Sequence, residues 1–189
     1  MIETVRRLAA DGEIASLTAI LSGTCNYVLE RCDAGVRLLE ALREAQALGY
    51  AEADASEDLS GRDTARKLRI LARHAFGREV DTLTVEGIQE DAVDWLLPTA
   101  KDGERLRLIA TAAKLTSGRL AAQVRPEWIG NDHPLASIAG EWNALAITLA
   151  NGETSVVSGR GAGRWPTTEA VIADLLDLRR EGQLKTKKE

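Results

Sequence analysis

Two hydrophobic periodicities alternate along this chain, one typical of helices and one typical of buried strands. This alternation limits the folds that the chain can adopt. Segments with apolar residues at helical spacing are separated by short apolar segments typical of buried strands, and no stretch repeats. In the second half, glycine-containing turns separate four β-like stretches, at about 104–115, 119–128, 142–150 and 153–158. Strands joined by hairpins and mixed with helices predict an α+β fold, in which a mixed β-sheet has helices packed on one face.

The same two periods place the remaining elements. Six helices are predicted, at about residues 2–10, 24–32, 36–48, 61–76, 89–100 and 167–180. Short strands are expected at 14–21 and 83–86, and the acid-rich residues 50–62 are expected to form a loop. Thr24 is a candidate N-terminal cap of the helix that follows it. We expect a single domain over residues 1–180 and a charged tail at 181–189.

Composition excludes several broad classes of protein. The 189 residues are 44% hydrophobic, which suits one globular domain. With 24 basic residues against 29 acidic ones the net charge is −5, so general nucleic-acid binding is disfavoured. No apolar run approaches the roughly 20 residues of a membrane span, and residues 1–4 open no signal peptide. We therefore expect a cytoplasmic protein with no nucleic-acid or membrane partner.

The cysteines and histidines suggest neither a disulfide nor a metal site. Cys25 and Cys32 lie seven positions apart on one predicted helix. That spacing separates them by about 10 Å along the helix axis, too far for a disulfide between them. His74 and His133 stand at no recurring ligand spacing from either cysteine. We expect two reduced cysteines, two structural histidines and no metal ion.

The densest polar constellation lies in the acidic segment and the helix after it. It consists of five carboxylates and one ammonium, which belong to Glu52, Asp54, Glu57, Asp58, Asp63 and Lys67. On a helical wheel Asp63 and Lys67 lie opposite the apolar stripe, so they face water, a cleft or another subunit. A lysine beside carboxylates can bind a polar or anionic substrate or transfer a proton. Spacing alone also fits an ordinary acidic loop before a helix, with an i,i+4 ion pair.

Two other stretches combine small and polar residues at the end of a strand. Residues 158–168 run from a predicted strand through a glycine-rich turn into a helix, where backbone N–H groups can approach an anion. The same glycines also suit a tight passage without a ligand. They are not a dinucleotide fingerprint, because no G-x-G-x-x-G occurs in the sequence. Residues 22–27 form a similar junction, in which capping explains Thr24 and only a cleft would give Asn26 a further role.

Taken in order, these stretches resemble the catalytic domain of the homoserine dehydrogenase family. Residues 23–29 are similar to its G-T-x-N-Y-I-L segment, and residues 45–67 to its A-Q-x-x-G-Y-A-E-x-D-P…D…G-x-D-x-x-x-K signature. Residues 161–167 resemble its late G-A-G-x-x-P-T segment, and residues 86–88 fit as well. The resemblance runs over about residues 2–178, which is nearly the whole chain.

The resemblance implies NAD(P)-dependent interconversion of L-aspartate 4-semialdehyde and L-homoserine, on the biosynthetic route to threonine and methionine. It implies that Lys67 is the acid/base residue at the reacting oxygen, with Asp63 as its hydrogen-bonded partner. Glu52 and Asp58 would hold the substrate ammonium and its neighbouring polar groups. A small amino acid is thus the implied substrate, and a homodimer is the implied assembly.

The resemblance also implies where the cofactor lies. Thr24 and the turn formed by Gly161, Ala162 and Gly163 would line the junction between substrate and cofactor. The family's N-terminal nucleotide-binding domain has no counterpart in this sequence. We therefore expect hydride transfer to need such a domain or subunit supplied elsewhere, and no tight binding of NAD or NADP by this chain alone. The choice between NAD and NADP stays open, because the residues that contact the ribose belong to that domain.

One residue of the acidic segment departs from the family pattern: Ala55 stands where the family has proline, which is a small loss of loop rigidity.

Two other functions also stay open. The chain could be a stand-alone, cofactor-independent lyase, cyclase or isomerase that uses the same amino-acid site. It could also be a non-catalytic module that dimerises.

Self-association is expected because the predicted sheet leaves one face without helices, and that face carries Trp142, Ala144, Ala146 and Thr148.

Overall fold

The computed structural model describes residues 1–89, 93, 101, 103–160, 172, 175, 176 and 179. Its helices are α1 (Ile2–Asp11), α2 (Gly23–Asp33), α3 (Leu38–Ala47), α4 (Ser56–Leu59) and α5 (Arg62–Phe76). Its strands are β1 (Ile14–Ile20), β2 (Thr82–Val85), β3 (Arg105–Lys114), β4 (Leu120–Ile129), β5 (Trp142–Leu149) and β6 (Thr154–Arg160). The helices and strands expected within residues 1–89 and 103–160 are confirmed. The loop expected at 50–62 is partly wrong, because α4 forms one helical turn inside it.

The strands form one six-stranded sheet in the order β2-β4-β3-β1-β5-β6. β2 and β4 run parallel, and the other neighbouring pairs are antiparallel. The expected hairpin between β5 and β6 turns at Asn151 and Gly152, and Gly152 has φ of +90°, a backbone conformation that favours glycine. The predicted mixed sheet is therefore confirmed.

The helices pack on one face of this sheet, which we call the helix-covered face. Side chains of that face and of the helices form one buried aliphatic cluster, which includes Val5, Leu17, Leu29, Leu68 and Leu145. The spacing of buried residues in α5 follows its 3.6-residue period, since Leu68, Leu71 and Ala72 are buried while Arg69 and Ile70 are exposed. The packing of helices on one face is as predicted.

The opposite face of the sheet, the second face, has a smaller cluster of its own. It consists of Ile20, Ile109, Ile129, Leu135, Ile138, Ala144 and Ala146. The expectation for this face was partly wrong. Ala144 and Ala146 are fully covered within the single chain, in the same cluster as Leu135 and Ile138 of the segment after β4. Trp142 stays 39% exposed.

Several predicted segments lie wholly or partly outside the described residues. Of the helix expected at 89–100, the structure describes Gln89 and Val93, and the amide of Val93 donates to the Gln89 carbonyl at 2.9 Å as in a helix. Of the helix expected at 167–180, the four described residues are helical and exposed, namely Ile172, Leu175, Leu176 and Arg179. The turn at 161–163 and the tail at 181–189 are outside the described residues.

Three further findings concern the described residues alone. No helix there is long and apolar enough to cross a membrane. No three or more of their His, Cys, Asp and Glu side chains are grouped so that they could hold a metal ion. Cys25 and Cys32 are both buried and make no disulfide.

Candidate active site

A cleft of about 630 Å³ opens where the end of β1 meets the start of α2, the acidic segment and α5. All six residues of the predicted polar constellation line it, together with Thr24. Lys67 and Asp63 therefore face a cleft, which was one of the three surroundings that the helical wheel allowed. Residues separated by more than 40 positions, such as Thr24 and Lys67, meet here because α2 and α5 pack on the same face of the sheet.

Lys67 is held at the end of β1 by two hydrogen-bond acceptors. Its Nζ lies 2.7 Å from Asp63 Oδ2, one turn earlier on α5, and donates to the Leu21 carbonyl at 3.0 Å. The buried side of α5 fixes the direction of this pair, because Leu68 and Leu71 anchor the helix against the core. An ammonium has three protons, so one proton of Lys67 remains for a group in the cleft.

Asp58 is positioned by a serine that the sequence analysis did not select. Ser22 Oγ donates to Asp58 Oδ1 at 3.0 Å and accepts from the Cys25 amide at 3.1 Å. Ser22 is therefore the N-cap of α2, and the assignment of that role to Thr24 was wrong. Thr24 Oγ1 instead donates to the Tyr50 carbonyl at 2.7 Å, which fixes the start of the acidic segment.

Backbone contacts give the acidic segment a defined shape. Gln46 Nε2, from α3, donates to the carbonyls of Glu52 at 3.0 Å and Ala53 at 3.1 Å. The Asp54 carboxylate accepts from the Ser56 amide at 3.0 Å, and this hydrogen bond lowers the pKa of Asp54. That contact holds the entry to α4 at the point where Ala55 replaces the family's proline.

The carboxylates of the cleft differ in how far they are already neutralised. Glu57 pairs with Arg66 and lies 3.4 Å from Arg62. Asp63 is paired with Lys67. Among the described residues Glu52 makes no side-chain ion pair or hydrogen bond, and Asp58 accepts only from the neutral Ser22 hydroxyl. Asp54 also has no cationic partner among the described residues, and it accepts from the Ser56 amide. Glu52, Asp54 and Asp58 are therefore the carboxylates left to meet a cationic group.

Close backbone packing closes two sides of the cleft. A Cβ on Gly23 would collide with the Glu141 carbonyl oxygen, so only glycine lets α2 approach the start of β5. Asn26 Nδ2 donates to the Gly140 carbonyl at 2.9 Å across the same junction. Below the acidic segment, the Ile88 amide donates to the Leu59 carbonyl at 2.6 Å. The structure thus gives residues 23–26 and 86–88 packing roles, which explains why both belong to the recognisable pattern.

Cys25 is not a nucleophile of this site. Burial raises the pKa of its thiol to about 12, so the thiolate is not populated near neutral pH. Its Sγ instead contacts the Asp58 carbonyl at 3.3 Å. The cysteine therefore packs beneath the acidic segment.

The predicted cofactor turn at Gly161, Ala162 and Gly163 lies outside the described residues. The strand leading to it is described as far as Arg160, and Gly159 is paired across the sheet with Asn143. Asn143 lines the cleft, and no local sequence signal had selected it. The strand register therefore brings the end of β6 close to the cleft.

Comparison with known proteins identifies the family. The family model described as homoserine dehydrogenase matches residues 1–176. The NAD(+)-dependent homoserine dehydrogenase of Pseudomonas canavaninivorans is 35% identical over 187 residues, which cover 98% of this chain and 53% of that protein. The chain therefore belongs to the homoserine dehydrogenase family.

Solved structures agree with that assignment. A homoserine dehydrogenase from Thiobacillus denitrificans matches with a TM-score of 0.82 at 32% identity, over 96% of this chain and 43% of that one. A hyperthermophilic archaeal homoserine dehydrogenase in complex with NADPH matches with a TM-score of 0.77 at 25% identity, over 96% and 52% of the two chains. The fold expected from the resemblance is confirmed, and the chain spans about half the length of the relatives it matches.

Proposed function

We propose that this chain is the substrate-binding and catalytic domain of a homoserine dehydrogenase. The Lys67–Asp63 pair in an acidic cleft is the observation that carries the proposal. The substrate is a small amino acid, interconverted between L-homoserine and L-aspartate 4-semialdehyde. The corresponding biological setting is cytoplasmic synthesis of threonine and methionine.

In this proposal Lys67 transfers the proton at the reacting oxygen. Its free N–H donates to the substrate carbonyl oxygen, and its proton moves to that oxygen, while the hydride that reduces the carbonyl carbon would come from the nicotinamide of a nucleotide held elsewhere. Asp63, 2.7 Å away, stabilises the ammonium form and keeps Nζ at the end of β1. The reverse reaction returns the hydroxyl proton to Lys67.

The amino end of the substrate is held by two of the carboxylates that lack a cationic partner among the described residues. Glu52 and Asp58 line the same cleft as Lys67, and their negative charge suits an ammonium group. Ser22 keeps Asp58 in place through the 3.0 Å hydrogen bond to Oδ1. The substrate therefore lies between the acidic segment and α5, with its side-chain oxygen toward Lys67.

The described residues do not fit a whole dinucleotide. The cleft is lined by five carboxylates and two cationic side chains, and this excess of negative charge repels a pyrophosphate. The sequence also lacks the G-x-G-x-x-G turn that places pyrophosphate at a helix N-terminus. We therefore assign the nucleotide to a domain or subunit supplied elsewhere. Gly161, Ala162 and Gly163 contact at most its nicotinamide side.

Reconstitution tests the function. The chain is mixed with, or fused to, the nucleotide-binding domain of a homoserine dehydrogenase and assayed with L-homoserine and either NAD or NADP. We expect turnover by the combination and none by either part alone. The Lys67→Ala chain, combined in the same way, is the negative control. Failure of a folded combination with both nucleotides would contradict the proposal.

A titration tests where the nucleotide is bound. Since most contacts to a dinucleotide are lacking, we expect NADH and NADPH to bind residues 1–189 no better than roughly millimolar, where each 1.4 kcal/mol lost is about tenfold in affinity. Calorimetry on the chain alone measures this directly. Micromolar binding would mean that this sequence contains a dinucleotide site of another kind.

A further inference from the structure

Asn143 is a buried polar side chain with an unfilled hydrogen-bond acceptor that lines the cleft. The residue is 9% exposed, and its Oδ1 is buried with no hydrogen-bond partner among the described residues. Buried amide oxygens in folded proteins are nearly always paired, so an unpaired one at a cleft wall points to a missing donor. Asn143, the second residue of β5, thus holds an unpaired acceptor in the cleft wall. Oδ1 itself is closed to solvent, so it pairs with a ligand donor once the side-chain amide turns about its broad Cβ–Cγ torsion.

The strand register places Asn143 at the same end of the sheet as the proton-transfer pair. Ala144 is paired with Ile20 at the end of the β1–β5 ladder, so Asn143 and Leu21 are the residues directly beyond that last pair. The Leu21 carbonyl is the atom that accepts from Lys67 Nζ at 3.0 Å. Asn143 and Lys67 therefore line the same cleft at the end of β1, although they are far apart along the chain.

Together these two side chains complement a hydroxyl group. A hydroxyl accepts one hydrogen bond through its oxygen and donates another through its proton. Lys67 offers a donor, because only two of its three protons are used by Asp63 and Leu21. Asn143 Oδ1 offers the acceptor. A carbonyl or an alkyl group in the same position would leave Oδ1 unpaired.

We propose that Asn143 is a specificity residue, which recognises the side-chain hydroxyl of the bound amino acid by accepting its proton in a hydrogen bond. This inference rests on the proposed function, since it takes the alcohol substrate from there. Asn26 provides an internal contrast. Its Oδ1 is also buried and unpaired, but its Nδ2 donates to the Gly140 carbonyl and it does not line the cleft.

Binding of two ligands to the full chain tests the proposal. L-homoserine and L-2-aminobutyrate share the amino and carboxyl groups, and only L-homoserine has the hydroxyl. Titrations followed by backbone and side-chain amide NMR measure both affinities and report on the Asn143 side-chain amide itself. For the natural sequence we expect L-homoserine to bind more than about tenfold more tightly, because the hydrogen bond to Asn143 contributes about tenfold and the one from Lys67 adds to it. The Asn143 side-chain resonances should shift with L-homoserine and not with L-2-aminobutyrate.

Four variants separate recognition from structure. Asn143→Leu should reduce this preference about tenfold by weakening L-homoserine alone, and the part that Lys67 provides should remain. Asn143→Asp keeps an acceptor of the same shape and should keep the preference, which guards against a leucine variant that fails to fold. Gln123→Leu makes the same amide-to-alkyl change on the second face and should change neither affinity. Glu52→Gln should weaken both ligands together, since both carry the ammonium.

The outcomes are distinct. A folded Asn143→Leu chain that retains the full preference, or unchanged Asn143 side-chain resonances with L-homoserine, would overturn the inference while the Glu52→Gln result still supports the proposed substrate site. If neither ligand moves amide resonances at the cleft, the proposed substrate itself is wrong and the inference fails with it.

Discussion

Two adjacent rows of residues cross the same five strands, and they show how differently the two faces of the sheet are built. The row on the helix-covered face consists of Val124, Ala110, Ala19, Leu145 and Val157, of which the first four are completely buried. The row on the second face consists of Gln123, Thr111, Thr18, Ala146 and Val156. Of these five only Ala146 is buried, and Val156 is 46% exposed.

The difference follows from what covers each face. On the helix-covered face, α2 begins directly after β1, and the acidic segment and α5 lie beside that junction. The Leu21 carbonyl at the end of β1 therefore accepts from Lys67, and the capping residue Ser22 donates to Asp58 of the acidic segment. On the second face, the chain's own cover is the cluster around Leu135 and Ile138, and the central row is small and half-polar. The helix-covered face thus carries the candidate site, and for the exposed part of the second face we propose a second copy of the chain as the cover.

The largest expected effect tests whether the chemistry belongs to the helix-covered face. Lys67→Ala removes the proton-transfer group, so turnover of the complete enzyme should fall at least about 100-fold, in the range of general acid–base catalysis. The fold should be unchanged, because Lys67 is not a core residue. Steady-state assays measure turnover, and circular dichroism shows whether the fold is unchanged.

Arg69→Ala is the matched control for that change. Arg69 is exposed two residues further along α5 and does not line the cleft. Its replacement should leave turnover within about twofold, since surface substitutions away from specific contacts have small effects. Near-normal turnover of Lys67→Ala would remove the acid/base assignment.

A pair of truncations tests the packing difference between the rows. Leu145→Ala, on the helix-covered face, should lower the free energy of unfolding by about 2–5 kcal/mol, because it opens a cavity at a fully buried position. Val156→Ala, at an exposed position in the other row, should cost no more than about 0.5 kcal/mol under conditions where the chain is monomeric. Urea denaturation compares both variants with the natural sequence. Equal losses would mean that the two faces are packed alike.

Most of the architecture and the core of the site could be predicted from the sequence. The helical period of residues 61–76 located α5, and the i,i+4 spacing put Asp63 and Lys67 on one side of it. Both inferences depend only on residues within a few turns of each other, where local geometry decides the outcome. Asp58 and Glu52 belonged to the same polar constellation, the family pattern added their role toward the substrate ammonium, and the structure brings both to the same cleft.

What could not be predicted depends on contacts between distant segments or on the exact start of an element. Ser22 and Thr24 are both good caps, and only the observed start of α2 at Gly23 decides between them. Asn143 stands between tryptophan and alanine, so its neighbours along the chain carry no signal, and its place comes from pairing with β1. The cover over Ala144 and Ala146 was missed because residues 130–134 look like a simple turn, although Leu135 and Ile138 directly after it pack in the cluster on the second face.

Self-association through the second face would be a further difference between the two faces. If a second copy covers the row that ends in Val156, sedimentation at tens of micromolar should give about twice the 20.4 kDa monomer mass. Val156→Asp would place a charge in that contact and should shift the population to the monomer, while the helix-covered face keeps its affinity for the amino acid. A monomeric natural chain would contradict the dimer.

The smallest expected effect concerns the segment that covers one end of the second face. His133 Nδ1 accepts from the Leu135 amide at 3.2 Å, and Leu135 is completely buried in the second-face cluster. Burial lowers the pKa of His133, and this outweighs the opposite effect of Glu127 and Asp132. The folded chain therefore favours the neutral imidazole, and protonation removes the acceptor that holds the Leu135 amide.

The direction of the pH dependence follows from this shift. The unfolded chain takes up the proton first, near its ordinary pKa of about 6.5, so stability is fully present above that pH and is lost as the pH falls below it. His133→Asn keeps an acceptor at the position of Nδ1 and does not titrate, so it should reduce the loss of unfolding free energy between about pH 7.5 and about pH 5.5. Denaturant titrations at the two pH values measure the difference. An unchanged pH dependence in His133→Asn would mean that the cover over the second face is not held by the neutral histidine.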